Sequence, residues 1–167
     1  NLTVNSGKAL DLYGIHASAA TLIVTGNLAV TGDIDSNASE ILSLTGGGST
    51  VTFGTAATSI AGLYRLYMGH GGDTTINIPA CTTKRLVAGA SGGTTNITGD
   101  LTVTDRAQVN SGAIFTSTGN ILTLDSLDIQ SGGTFTLGAG STLKFEDIAS
   151  GGFLSSGGTL NSNGTSG

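Results

Sequence analysis

The chain has 167 residues, only 10% of them charged, and six Lys/Arg against eleven Asp/Glu leave a net charge of −5. So few cations cannot neutralise a phosphate backbone, and no run reaches the roughly 18–20 apolar residues that span a bilayer, so neither nucleic-acid binding nor membrane insertion is expected. With 28 Gly, 44 Ser and Thr, one Pro, no Trp and a positive mean hydropathy, the composition fits β-structure rich in tight turns.

In chain order, the first strand signal is the apolar pair Leu2/Val4 around the polar Thr3. Leu22/Val24, Leu28/Val30, Leu42/Leu44 and Val51/Phe53 follow in the same alternation. Residues 60–90 interrupt it and gather the uncommon side chains Tyr64, Arg65, Tyr67, Met68, His70, Pro79, Cys81, Lys84 and Arg85. Ile60 to Met68 comes nearest to a helical stripe, but Gly62 breaks it, and it reads as strand. Leu66 and Met68 would then face inward, with Arg65 and Tyr67 outward. After Ile76/Ile78 the alternation returns as Leu101/Val103, Leu122/Leu124, Leu127/Ile129, Phe135/Leu137 and Leu143/Phe145. Ser-Gly turns punctuate it at Ser111, Ser131 and Ser150, each followed by an aromatic at Phe115, Phe135 or Phe153.

Leu2, Leu22, Leu42, Leu101, Leu122 and Leu143 open blocks about 20 residues long, and the Ser-Gly turn and the aromatic keep the same period. Short strands at such a period predict an all-β fold, a right-handed parallel β-solenoid (β-helix) of about 20 residues per coil and about eight coils. Residues 1–167 would form one domain with an irregular coil at about 60–90. The opening leucines should stack as one core column, and Phe115, Phe135 and Phe153 as another. Neither end reads as a folded cap. The chain opens on a repeat strand at Asn1 and closes on a polar part-coil, so both ends are expected to rest on further coils, from a second copy packed head to tail or from a longer parent chain.

Chemistry is thinly represented. His16 and His70 lack metal-ligand spacing, and the lone Cys81 supports neither a disulfide nor a zinc site, reading instead as a small core residue. A polysaccharide-degrading solenoid would need clustered acidic ligands beside a base. The best alignments, Asp125 with Glu146 and Asp105 with Asp147 near Asp128, have no Arg placed beside them by the repeat. No catalytic, cofactor or metal site is therefore expected. Tyr64, Arg65, Tyr67, His70, Lys84 and Arg85 form a candidate partner patch, since Tyr and Arg are enriched at interface hot spots. A Thr ladder built from Thr50/Thr52, Thr102/Thr104 and Thr134/Thr136 would suit an ice-binding surface, but Lys144, Asp125 and Glu146 interrupt it; a carbohydrate-binding surface would need exposed aromatics, and Tyr64 and Tyr67 are the only close pair.

The phrases NLTV, TGNLAVTGDID, GGGSTVTFG, TGDLTVTD and LDIQSGGTFTLGAGSTL resemble bacterial surface proteins built of β-strand repeats, the filamentous-haemagglutinin-like adhesins and autotransporter passenger domains. The resemblance covers nearly the whole chain and specifies architecture. It implies a secreted, non-catalytic rod at the cell surface, acting in adhesion, coating or fibre formation, with a surface glycan or host-surface ligand as partner. No active-site residue carries over.

Overall fold

The computed structural model describes residues 2–5, 8–11, 21–26, 28–30, 33–35, 41–44, 51–53, 65–68, 75–78, 80–89, 92–145, 152–156 and 158–162. Among them the chain forms nineteen strands and no helix. The first seven are β1 (Leu2–Val4), β2 (Ala9–Asp11), β3 (Thr21–Val24), β4 (Leu28–Val30), β5 (Asp33–Asp35), β6 (Ile41–Leu44) and β7 (Val51–Phe53). Then come β8 (Arg65–Met68), β9 (Thr75–Ile78), β10 (Cys81–Ala88), β11 (Thr94–Ile97), β12 (Leu101–Val109) and β13 (Ile114–Ser117). The last six are β14 (Ile121–Leu124), β15 (Ser126–Gln130), β16 (Thr134–Leu137), β17 (Thr142–Phe145), β18 (Gly152–Ser156) and β19 (Thr159–Ser162).

All pairings are parallel and each joins a strand to its equivalent in a neighbouring coil, which makes the fold a parallel β-solenoid. Apart from β2 and β5, which pair with each other, the strands fall on three faces, visited in a fixed order. One face carries β1, β4 and β7, against which β9 lies, followed by β11, β13, β16 and β19. A second carries the first halves of β10 and β12, then β14 and β17. The third carries β3, β6, β8, the second halves of β10 and β12, then β15 and β18. The long strands β10 and β12 bend around the corner between the second and third faces, where their register shifts between Thr83 and Arg85.

The short-range alternation explains each strand. Inward Leu101 and Val103, Leu122 and Leu124, and Leu127 and Ile129 are buried, while Thr102, Thr123 and Asp128 between them are half-exposed. The Ser-Gly turns stack as well. Gly92, Gly112 and Gly132 hold positive φ of 82, 73 and 81°, a left-handed conformation that only glycine adopts freely, and Gly92 and Gly112 donate their N–H groups to the carbonyls of Gly112 and Gly132 at 2.9 and 3.0 Å.

Three expectations are corrected. The opening leucines do not share one column. Leu2 pairs with Leu28 on the first face; Leu22 and Leu42 share a register with Leu66, Leu86, Ala107, Leu127 and Phe153 on the third; and Leu101, Leu122 and Leu143 follow Cys81 on the second. The column of three phenylalanines holds only for Phe115 and Phe135, because Leu160 takes the next place and Phe153 registers with Leu127. One cause underlies both. Register follows strands rather than residue count, and coils of unequal length shift the frame between residues that look equivalent in sequence. The count of eight coils is also too high: the longest hydrogen-bonded ladder has seven strands, and the regular period of about 20 residues holds through about four turns.

Candidate functional site

On the third face, β8, β10 and β12 lie side by side. Leu66 and Leu86 pair and are fully buried, and Arg65 and Arg85 immediately precede them. Arg85 in turn registers with Arg106. All three arginines of the chain thus occupy one outward column on consecutive strands. At a strand spacing of about 4.8 Å, two guanidinium charges in register repel by about 1 kcal/mol at the dielectric of water, which neighbouring groups must offset. One carboxylate relieves part of this: Arg85 Nε donates to Asp105 Oδ2 at 2.6 Å, with both side chains about 30% exposed. Asp105 is held at the corner, where Ser126 Oγ donates to its carbonyl at 2.7 Å. Lys84 is exposed at the same corner, and Arg106, also exposed, forms no hydrogen bond or ion pair among the described residues.

Beside the arginines runs a second outward column, Ser43, Tyr67, Val87, Gln108 and Asp128. The Tyr67 ring lies across β10 above Gly89, where an added Cβ would come within 2.5 Å of the ring. Glycine here is what lets the aromatic ring rest on the sheet. Tyr67 stays half-exposed, so part of it faces solvent.

The structure therefore brings Arg65, Tyr67, Lys84 and Arg85 together on β8 and β10, while Tyr64 and His70 lie outside the described residues. Arg106 and Gln108 complete the surface and were missed because they fall beyond the unusual 60–90 segment. The signal was present: Arg65, Arg85 and Arg106 are separated by the repeat period itself.

The first face offers a contrasting surface. Its outward positions from β9 to β19 are Asn77, Thr94, Asn96, Ile114, Thr116, Thr134, Thr136, Thr159 and Asn161, with no charge among them. Asn96 links three coils: its Nδ2 donates to Asn77 Oδ1 and its Oδ1 accepts from Thr116 Oγ1, both at 3.0 Å. The Thr ladder expected from sequence is dispersed, since Thr102 pairs with Thr82 and Thr123 on the second face, whereas Thr134 and Thr136 belong to the first.

Cys81 is a buried member of the second-face column, and burial pushes its thiol up to about 12, the opposite of what a nucleophile requires. Of the acidic residues aligned in sequence, Asp105 faces Arg85 and Asp128 registers with Gln108, while Glu146 and Asp147 lie outside the described residues. Among the described residues no three His, Cys, Asp or Glu side chains converge as metal ligands would.

At the ends of the ladders the apolar columns run out to partial exposure. Leu2 and Leu22 are half-buried around a hollow of about 260 Å³ that Ile23, Val24 and Thr25 complete, and Ile23 is 60% exposed. At the opposite end Leu143 and Phe145 are half-buried and Leu160 is exposed. No protein-family model, curated protein or solved structure matches the chain.

Proposed function

We propose that this chain is a non-catalytic structural element of the cell exterior, a β-solenoid rod that continues through further coils, either stacked head to tail as a filament or as part of a long surface adhesin. The observation that carries this reading is the state of the two ends. Among the described residues nothing pairs with the outer edges of β1 and β3, or of β17, β18 and β19; Leu2 and Leu22 at one end and Leu143 and Phe145 at the other are only half-buried, and Leu160 is exposed. An open strand edge is a template for further pairing, and a column continued by another apolar residue stays dry. A head-to-tail contact of this kind is heterologous and propagates instead of closing. Cryo-electron microscopy of the protein tests it. A fibre with layers about 4.8 Å apart along its axis supports end-to-end continuation. Dispersed particles at every concentration, with the end strands bare, sink the filament form.

A second reading is an ice- or carbohydrate-binding surface, and the uncharged Thr/Asn face between β9 and β19 favours its ice-binding form. Thermal hysteresis that disappears in Thr116→Lys and Thr136→Lys variants would support the ice form of this reading; no hysteresis in the wild type would end it.

A further inference from the structure

We propose that in the filament form successive copies join with a rotation of one third of a turn about the rod axis, so that β1 of one copy lies on β17 of the copy before it, β2 on β18 and β3 on β19. The inference rests on the head-to-tail reading above and names its contact. Strand order carries it. The first and last described strands, β1 and β19, both belong to the first face. β2 and β5 hold the second place in their coils, each between a first-face and a third-face strand. A coil climbs by one strand spacing as it passes its three faces, so each end of the rod is a ramp. At one end β1 is outermost and β3 innermost; at the other β19 is outermost and β17 innermost. The two ramps fit when the outermost strand of one meets the innermost of the other, which is β1 on β17. Laid straight on, β1 would extend the first-face ladder from β19, but β2 and β3 would stand about 9–10 Å from β17 and β18, two strand spacings with an empty place between.

The residues suit the turned junction, which continues the interface that already joins the chain's own coils. Leu2 and Val4, the inward positions of β1, fall on Leu143 and Phe145, the inward positions of β17. Leu160 of β19 falls on Leu22, at the hollow of about 260 Å³. Charge agrees. Exposed Lys8 lies at the turn after β1, where its N–H donates to the Asn5 carbonyl at 3.0 Å, and in sequence Glu146 and Asp147 follow β17 directly. Setting β1 on β17 places these two connections one above the other. The residues that follow β18 and β19, 157–158 and 163–167, carry no charge.

The test is cross-linking between copies. Thr3 and Lys144 are exposed, lie at opposite ends of one copy, and become register partners across the turned junction. Paired Cα atoms on adjacent strands are about 4.8 Å apart, within the roughly 4.4–6.8 Å that a disulfide spans. Thr3→Cys/Lys144→Cys protein, oxidised with copper phenanthroline after assembly, should give a ladder of covalent multimers on a non-reducing gel. Thr3→Cys/Asn161→Cys reports straight continuation and Thr3→Cys/Leu154→Cys a two-thirds turn. Each should give about a tenth as much, since its Cα atoms lie beyond that reach. Cys81 is buried and stays silent. Each copy's own twist adds to the rotation seen in images, so contacts are read rather than symmetry. Multimers chiefly from either control pair, or none from any pair in samples that form filaments by cryo-electron microscopy, would overturn the turned register and leave the filament reading standing. Neither filaments nor multimers would remove both.

Discussion

Phe115 and Phe135 are neighbours in one inward column, both buried, with ring centroids 5.0 Å apart and planes at 61°. Such an edge-on pair contributes about 0.5–1.5 kcal/mol beyond the area it buries. Truncating either ring to Ala would cost about 3–5 kcal/mol, close to the whole stability of about 5–15 kcal/mol of an ordinary domain. A double-mutant cycle is therefore better run with Phe→Leu, which keeps an apolar branched side chain and removes the ring. Urea unfolding followed by far-ultraviolet circular dichroism gives the four stabilities. The Phe115/Phe135 cycle should show coupling of about 0.5–1.5 kcal/mol, whereas Phe115/Phe153 should be additive within about 0.5 kcal/mol, because Phe153 belongs with Leu127. Strong Phe115/Phe153 coupling, or none between Phe115 and Phe135, would refute the register described for the last coils.

Other perturbations follow from individual contacts. Thr95 is 1% exposed in the same column and its hydroxyl finds no partner among the described residues, so Thr95→Val should raise the urea midpoint, by about 1 kcal/mol of stability. Gly133→Ala would push a Cβ to 2.7 Å from the Asn110 carbonyl oxygen and 2.9 Å from that of Val109; neither backbone atom can yield, and a loss of about 1–3 kcal/mol is expected in the same assay. Cys81 should resist iodoacetamide in native protein and react on unfolding. Because its folded pKa of about 12 lies above the free thiol's 9.0, its contribution to stability is complete below pH 9 and declines between pH 9 and 12, by up to about 1.4 kcal/mol per unit. Cys81→Ala should remove that part of the alkaline slope in paired urea titrations.

Sequence reading reached the architecture because a β-solenoid writes its geometry as a period. The alternation assigns Leu101, Val103, Leu122 and Leu124 to the interior, and the Ser-Gly turns mark where the backbone must enter the left-handed region, as Gly112 and Gly132 do. Register was less accessible. A residue period ranks Leu2 with Leu22 and Phe135 with Phe153, but the ladders pair Leu2 with Leu28 and Phe135 with Leu160, since extra residues in connecting segments shift the count without changing which strands meet. The basic patch was half legible. Composition singled out Arg65, Tyr67, Lys84 and Arg85, whereas Arg106 sits in a regular coil where nothing unusual surrounds it. Only the pairing of β10 with β12 places it beside Arg85.

That pairing also explains why the charged column occurs where it does. In the next coil the third face carries only the short strand β15, and Asp125 makes the corner between it and β14. In β10 and β12 one continuous strand turns the corner, with Thr83 buried on its inner side and its Oγ1 donating to the Arg85 carbonyl at 3.3 Å. The side chains just past such a bend splay away from the sheet, so Lys84, Arg85, Asp105 and Arg106 reach solvent at a ridge rather than lying flat between neighbours. A ridge presents long cationic side chains with little desolvation, and the rigid ladder beneath fixes their spacing in advance.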